Sequence, residues 1–212
     1  LAGPPCQGFS DFNNHTRYKD DRNQHYLDVP AVAKALNCPT VIIENVPGVR
    51  SDRGGVAQVA KWLFESEGYT VETGVLKANS LGWPQTRARF FMVASKVSSP
   101  IPIHIVADAL AVDPSEALDL RWAIEDHETT PTDDHMFRQA ERSPENIARI
   151  NYLFDNDIYD LPDSERPPCH RDKAHTYPTV YGRLHPNKAA PTLTTGFMTN
   201  GRGRFTHPTK RR

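Results

Sequence analysis

The sequence predicts an α/β fold, the second half of a mostly parallel sheet that closes with an antiparallel pair of strands. Three observations support this prediction. Residues 40–46 (TVIIENV) form a short apolar run rich in β-branched side chains, which is typical of a buried strand. Residues 55–67 repeat apolar side chains at helical spacing. Residues 69–77 alternate like a strand, and residues 89–94 (RFFMVA) form another apolar one.

The other elements of this first part follow in chain order. Residues 1–10 form a Gly/Pro-rich turn of the kind found just after a buried strand, and residues 15–24 indicate a polar loop. Apolar spacing predicts a helix at 26–36. A Pro-Gly pair closes the strand at 40–46, and Gly68 is the expected C-cap of the helix before it.

The chain changes character near residue 96, where we predict a domain boundary. Residues 1–96 form the first predicted domain, and residues 97–212 form a Pro-rich, irregular region. Short helices are expected at 114–126 and 144–154. Residues 161–181 are crowded with Pro, His, Asp and Arg, which favours loops.

The composition indicates a globular chain, with 38% hydrophobic and 24% charged residues. A net charge of −1 supplies no general positive field, so any nucleic-acid contact must come from local patches. The basic tail at 202–212 is one such patch, although charge alone favours a frayed, solvated end. Three widely spaced cysteines argue against a disulfide framework and fit a reducing, cytoplasmic compartment. No apolar run approaches the ~20 residues that span a bilayer.

Cys6 lies in the turn at 3–10 (GPPCQGFS), where a strand is expected to end above the sheet. A rigid Pro-Pro turn exposes a thiol, and electropositive surroundings favour its thiolate. A buried structural cysteine is the commoner interpretation of an isolated cysteine. The flanking prolines and the loop position count against that alternative.

Glu44 and Asn45 lie at the end of the predicted buried strand. Ligands of open α/β sheets bind outside the carboxyl ends of the strands. A partly desolvated carboxyl group at such a place donates a proton near neutral pH more readily than one in water. A surface glutamate is an equally good interpretation of Glu44 considered alone.

Arg87 and Arg89 enter the predicted strand at 89–94, and their spacing of two places them on one side of it. Guanidinium groups suit carbonyl or phosphate oxygens, although pairs of surface arginines are common. A further pattern, Arg183 followed by the hydroxyl-rich turn at 191–195 (PTLTT), is typical of phosphate binding but weak by itself.

In order and spacing, these blocks resemble the DNA cytosine-C5 methyltransferase family. GPPCQGFS, ENVPGV and GWPQTRARFF are similar to its motifs IV, VI and VIII, and RLHPNKAAPTLTTGF with GRFTHP is similar to the motif IX region. The resemblance is thin at 99–181, where the family places its target-recognition region. It implies a partial Rossmann-like, S-adenosylmethionine-dependent methyltransferase sheet with a smaller, irregular target-recognition region. Residues 1–96 would be the second half of the catalytic domain, and residues 97–212 the target-recognition region with the start of the return to the catalytic domain.

The resemblance also implies roles for individual residues. Cys6 would be the nucleophile that adds to C6 of a flipped cytosine, and Glu44 the acid at N3. Asn45 would brace the cysteine turn, Arg89 would hold the cytosine O2, and Arg87 would support Arg89. Contacts to DNA are implied for Gln7, Ser10, Gln85, Thr192 and Thr194.

The implied cofactor is S-adenosyl-L-methionine, and the implied partner is double-stranded DNA, bound by a monomeric bacterial or phage enzyme. The family's glycine-rich cofactor motif precedes the cysteine turn and its motif X follows the motif IX region, so neither falls within the chain. Pro4 and Pro5 are the remaining candidates for cofactor contacts. We therefore expect a truncated enzyme, inactive alone and poor at binding cofactor, or one completed by a second polypeptide. The absent start Met favours truncation.

Two other functions stay open at this point. A tRNA cytosine-C5 methyltransferase of the same fold usually carries Cys-Phe-Thr, whereas here Cys169 is followed by His170. A non-catalytic DNA-binding paralogue would keep the fold, but the intact Cys6 and Glu44 count against decay. The spacing of Cys169, His170 and His175 matches no usual zinc pattern, so no metal is expected. The DNA target and any link to a restriction enzyme are not readable.

Overall fold

The structure is a computed structural model that describes residues 1–9, 21–129, 141–171 and 179–212. The chain forms two compact units. Unit 1 comprises residues 1–81 and 87–114, and unit 2 comprises residues 82–86 and 115–212. The boundary that we predict near residue 96 separates catalytic from recognition functions, and it stays a prediction.

Unit 1 contains the helices and strands expected for the first part of the chain. The predicted elements at 26–36, 40–46, 55–67, 69–77 and 89–94 are all confirmed, with ends that differ by no more than two residues. The helices are α1 (His25–Ala35), α2 (Val56–Ser66) and α3 (Ile103–Leu110), and the strands are β1 (Thr40–Asn45), β2 (Thr70–Lys77) and β3 (Ala88–Ser95).

The strands form one sheet in the order β1-β3-β2, and β3 runs antiparallel to both neighbours. The expected closing antiparallel pair is confirmed, but a mostly parallel sheet is wrong for these strands. The reason is topological. β1, α2 and β2 form a crossover whose two strands point the same way, and β3 returns from β2 to fill the space between them. Parallel pairing in this sheet occurs among the described residues at one bridge, between Ala2 and Ile43.

The core of unit 1 comprises side chains from the sheet, from α1 and α2, and from two turns, which contribute Phe9 and Val49. Along α2, buried side chains recur at Val56, Ala57, Ala60 and Phe64. Val59, which the apolar spacing also placed on this face, is 39% exposed instead. Full burial of one such large apolar side chain contributes about 1.5–3 kcal/mol. The helix ends before Gly68, whose φ of +82° is the left-handed geometry expected of a C-cap glycine.

Helix α3 was not predicted, because Pro100 and Pro102 made its start look irregular. Pro102 instead stands at the N-cap of the helix, outside the positions where a missing N–H would matter. The helix packs closely on β2 at Gly74. A Cβ on Gly74 would lie 2.5 Å from Cβ of Ile103, so the approach of α3 depends on that glycine.

Unit 2 has few regular elements. Helix α5 (Pro144–Asp155) confirms the helix expected at 144–154, and Ser143 caps it by accepting from the Asn146 N–H. The helix expected at 114–126 is shorter, because α4 spans only Leu120–Ile124. Before α4 the chain turns, since the Leu118 N–H donates to the carbonyl of Gly82 rather than into a helix.

The C-terminal segment is tied to the rest of unit 2 by arginines. Arg183 donates to the carbonyl of Pro208 at 2.8 Å, and its guanidinium carbon lies 4.2 Å from the ring centre of Phe154. Arg211 pairs with Asp155 at 2.6 Å. A frayed end is therefore the wrong interpretation of this tail. Within the described part of the chain, no helix has the length and apolar character that a bilayer crossing requires.

Candidate active site

The cysteine turn is held beside the end of β1 by backbone pairing. The Ala2 N–H donates to the Ile42 carbonyl at 2.8 Å, and the Glu44 N–H donates to the Ala2 carbonyl at 3.0 Å. Four residues after Ala2, Cys6 has a free, half-buried thiol. The Phe9 N–H donates to the Cys6 carbonyl at 3.1 Å, which closes the turn. A thiol and a carboxyl group are thus brought to the same edge of the sheet.

Asn45 links β1 directly to this turn. Its side chain is 1% exposed, its Nδ2 donates to the Pro4 carbonyl at 3.2 Å, and its Oδ1 accepts from the Val46 N–H at 2.8 Å. Both ends of a buried amide are therefore engaged, as burial of a polar group requires. The geometry suits the bracing function that the resemblance implies for Asn45.

Glu44 pairs with two arginines, Arg89 within β3 and Arg87 directly before β3 begins. Its Oε1 lies 2.6 Å from Arg89 Nε and 3.8 Å from Arg87 Nη2. The pairing follows from the register, in which Glu44 stands opposite Phe91, two residues from Arg89. Alternate side chains of a strand share a face, so Arg87 and Arg89 both reach the carboxylate.

The charges around Arg89 oppose one another. Burial lowers the pKa of Arg89, and the neighbouring positive charge of Arg87 lowers it further. The carboxylate of Glu44 and the thiolate form of Cys6 act in the opposite direction. Cys6 is therefore close enough to Arg89 for their charges to interact, and a negative charge that develops near this cluster would be offset by two guanidinium groups.

Three of the other residues predicted to contact DNA lie in unit 2. Gln85, Thr192 and Thr194 are half-buried residues of unit 2. Gln85 pairs in a parallel bridge with Ala190, two residues before Thr192. The backbone of Gln7 lies in a 3-10 turn, Gln7–Phe9. Ser10 lies outside the described residues.

Gly48, which the sequence pattern marks only as part of a turn, also makes a close backbone contact. A Cβ on Gly48 would lie 2.1 Å from the carbonyl oxygen of Phe9, at the end of the cysteine turn. Gly48 follows β1 in the 3-10 turn Pro47–Ser51. A turn signal says nothing about which backbone segment will pack on it, so no local pattern could have identified this contact.

The cluster offers a nucleophile, a carboxyl group and two cations, with the half-buried rings of Pro4 and Pro5 immediately before the thiol. Such a set suits addition to an electron-poor ring whose carbonyl and nitrogen accept charge. Among the residues that the structure describes, no three His, Cys, Asp or Glu side chains are grouped to hold a metal ion. His175, which the sequence pattern placed near Cys169, falls outside those residues.

Comparison with known proteins supports the family that the motifs indicate. Residues 1–195 match the family model described as C-5 cytosine-specific DNA methylase. The type II methyltransferase M1.BsuMI of Bacillus subtilis is 42% identical over 207 residues, 98% of this chain and 48% of that protein. The type II methylase M.HgiDII of Herpetosiphon aurantiacus is 28% identical over 216 residues, 96% of this chain and 58% of that protein. The chain spans about half the length of M1.BsuMI.

One solved structure supports the fold. The S. pombe Dnmt2 methyltransferase aligns over 92% of this chain and 49% of its own, with a TM-score of 0.55 and 18% identity. At that identity the likeness concerns the fold alone, and it confirms the α/β fold class that the resemblance implied. The family-model match over 195 of 212 residues confirms the resemblance itself. The chain belongs to the C-5 cytosine-specific DNA methylase family.

Proposed function

We propose that the protein transfers a methyl group from S-adenosylmethionine to C5 of a cytosine in duplex DNA, acting as a monomer. The observation that supports this most strongly is the convergence of Cys6, Glu44, Arg87 and Arg89 at one end of the sheet, with Glu44 2.6 Å from Arg89. The relative M1.BsuMI, a type II methyltransferase, supports the same activity class and a link to restriction-modification.

Cys6 supplies the covalent step. C5 of cytosine is a poor nucleophile, but a bond from Cys6 Sγ to C6 moves the C5–C6 π electrons onto C5 and makes it enamine-like. S-adenosylmethionine, when bound, would supply the electrophilic methyl group, whose bond to the sulfonium sulfur would break as it bonds to C5, with S-adenosylhomocysteine as the leaving group. C5 then loses its proton to a base, and the electron pair left at C5 reforms the double bond as Cys6 Sγ leaves C6.

Glu44 and the arginines stabilise the ring while Cys6 is attached. Addition at C6 pushes electron density onto N3 and O2. We assign the Glu44 carboxyl to N3, where it donates or holds a proton, and Arg89 to O2. The Arg89 contact to Glu44 Oε1 fixes the carboxyl in advance, so little reorganisation accompanies the reaction. Arg87 adds a second positive charge beside Arg89.

The DNA must deliver its base outside the helix, because a stacked cytosine hides C6 from a thiol. Contacts that hold the extruded nucleotide and its strand are proposed for Gln7, Ser10, Gln85, Thr192 and Thr194. Specificity for the target sequence is proposed for residues 100–180.

Pro4 and Pro5 are the residues that we place next to the methyl donor. Their half-buried pyrrolidine rings precede the thiol directly and present apolar surface beside it. Weak binding of S-adenosylmethionine by these residues alone stays a prediction, and isothermal titration measures it; micromolar affinity would contradict it.

Covalent trapping tests the proposed function. Duplex DNA with 5-fluorocytosine retains the enzyme, because fluorine at C5 cannot leave as a proton would. Protein that contains this chain is incubated with that DNA and S-adenosylmethionine. A stable adduct is expected from the wild type and from the control Cys169→Ser, whose cysteine is exposed. No adduct is expected from Cys6→Ser.

An adduct that survives in Cys6→Ser, or a wild type that forms none, would refute the mechanism. A fluorinated tRNA tested in parallel separates DNA from RNA substrates.

A further inference from the structure

The cysteine turn is attached at two points to the segment that follows Glu44. Before the thiol, the Pro4 carbonyl accepts from Asn45, the residue after Glu44. After the thiol, the Phe9 carbonyl packs against Gly48, four residues after Glu44. The first attachment is a hydrogen bond, and the second is a close backbone contact that only a missing side chain permits.

The requirement for glycine at position 48 is one of space. Real Cβ atoms essentially never approach another atom within 3.0 Å, and a Cβ here would lie 2.1 Å from the Phe9 oxygen. The φ angle of Gly48 is outside the left-handed region, so an alanine could adopt the backbone conformation itself. Such an alanine would have to push one of the two backbone segments away.

Phe9 cannot yield easily, because its ring is anchored. It is 2% exposed and meets Tyr26, which is fully buried, in an edge-to-face contact with ring centres 6.3 Å apart. Since the Phe9 N–H also bonds the Cys6 carbonyl, displacement of Phe9 would be passed to the thiol through one turn of backbone.

We propose that Gly48 is a positioning residue that sets where the Cys6 thiol stands relative to Glu44. This inference rests on the proposed function. Covalent catalysis depends on close alignment of the reacting atoms, and a misplacement of 1 Å lowers rates by about 100-fold. The turn after β1 thus does more than end a strand, because the absence of a side chain at Gly48 determines the position of the Cys6 thiol.

The experiment compares Gly48→Ala with Gly3→Ala in protein that contains this chain. Gly3 lies in the same turn, but a Cβ there would meet nothing within 4 Å. We expect kcat and the rate of 5-fluorocytosine trapping to fall about 10- to 100-fold in Gly48→Ala, with the DNA KM nearly unchanged. Gly3→Ala is expected to match the wild type. A Gly48→Ala enzyme with wild-type kcat overturns the inference, and a wild type that traps no DNA overturns the function instead.

A second pair of variants keeps the test decisive if Gly48→Ala does not fold. Gly8, two residues after Cys6, is buried against Asn23, and a Cβ on Gly8 would lie 1.8 Å from Asn23 Oδ1. Gly8→Ala is expected to slow trapping, and Asn23→Ala in that background is expected to restore it by removing the atoms that collide. If trapping stays slow in the double variant while its thermal stability recovers, the position of the cysteine turn does not set the rate of trapping.

Discussion

Arg89 Nε lies 2.6 Å from Glu44 Oε1, which joins the start of β3 to the end of β1. The two side chains are 18% and 36% exposed, so water screens their attraction. An ion pair of this kind contributes only about 0–1 kcal/mol to folding. The main effect of the ion pair is to orient the Glu44 carboxyl group, which is held beside the two arginines before any substrate arrives. Changes to the pair should therefore affect reaction rate far more than stability.

The first prediction concerns Arg89→Gln. The variant removes the charge proposed to offset the developing oxyanion and loosens Glu44, so kcat is expected to fall about 10²- to 10³-fold. The midpoint of thermal unfolding should change little, because the lost pair is partly exposed. Initial rates with labelled S-adenosylmethionine and a melting curve on the same preparation measure both quantities.

Two matched variants control for charge. Arg87→Gln removes the more distant guanidinium, 3.8 Å from Glu44, and should lower the rate less than Arg89→Gln. Arg50→Gln removes an exposed positive charge from the turn after β1 and should leave the rate unchanged. Equal losses in Arg89→Gln and Arg50→Gln would mean that net charge, and not the position of Arg89, sets the rate.

The second prediction concerns Asn45→Asp. The substitution keeps the acceptor for the Val46 N–H but removes the donor to the Pro4 carbonyl and places a charge where the side chain is 1% exposed. We expect a loss of about 1–3 kcal/mol in the free energy of unfolding, together with slower trapping of DNA. Urea denaturation measures the first effect.

Asn156→Asp is the matched control for this substitution. Asn156 also donates through Nδ2 to a backbone carbonyl, that of Tyr152 at 2.9 Å, but this bond is exposed. Its loss should change stability by no more than about 0.5 kcal/mol. If the two variants lose equal stability, burial of the Asn45 amide is not what makes its bond to Pro4 important.

The elements of unit 1 up to the end of β3 could be predicted because their signals are local. The β-branched run at 40–46 and the helical spacing at 55–67 each need only their own side chains to be recognised. The candidate site was recoverable for a related reason. Cys6 and Glu44 were ambiguous one at a time, and only their order along the chain with Arg87 and Arg89 favoured one interpretation.

The features that escaped prediction all depend on partners distant in sequence. Strand β3 inserts between β1 and β2, and nothing in residues 88–95 specifies its neighbours. Helix α3 is permitted by Gly74 on β2, and the cysteine turn is permitted by Gly48. A glycine that is needed for space looks in the sequence like a glycine needed for a turn, so the contact itself has to be seen.

The third prediction separates the core of unit 1 from its surface on one helix. Phe64 is 1% exposed and meets Tyr69 edge to face with ring centres 5.2 Å apart, whereas Trp62, also on α2, is 64% exposed. Phe64→Ala is expected to lower the free energy of unfolding by about 3–5 kcal/mol. Trp62→Ala should lower it by about 0.5 kcal/mol or less, although the side chain removed is larger. Urea denaturation followed by circular dichroism measures both, and similar losses would contradict the assigned packing of α2.

The fourth prediction concerns the stability of unit 2 in acid. Burial lowers the pKa of His207 to about 4, and the positive charges of Arg212 and Lys210 lower it too, against an opposing effect of Glu128. Protonation at Nδ1 would also break the bonds that this atom accepts from the Thr209 and Lys210 N–H groups. The folded protein therefore favours the neutral ring.

The direction of the pH effect follows from the two pKa values of His207. The unfolded imidazole takes its proton near 6.5 and the folded one near 4, so the unfolded state holds more protons between these values. Stability should fall as the pH drops from 6.5 to 4, by an amount on the order of 1 kcal/mol after screening of a half-buried ring. His207→Asn keeps an acceptor near Nδ1 but does not titrate, so its stability should decline less over this range. Melting curves at pH 7 and pH 4.5 measure the difference, and equal declines in the two proteins would exclude His207 as the group responsible.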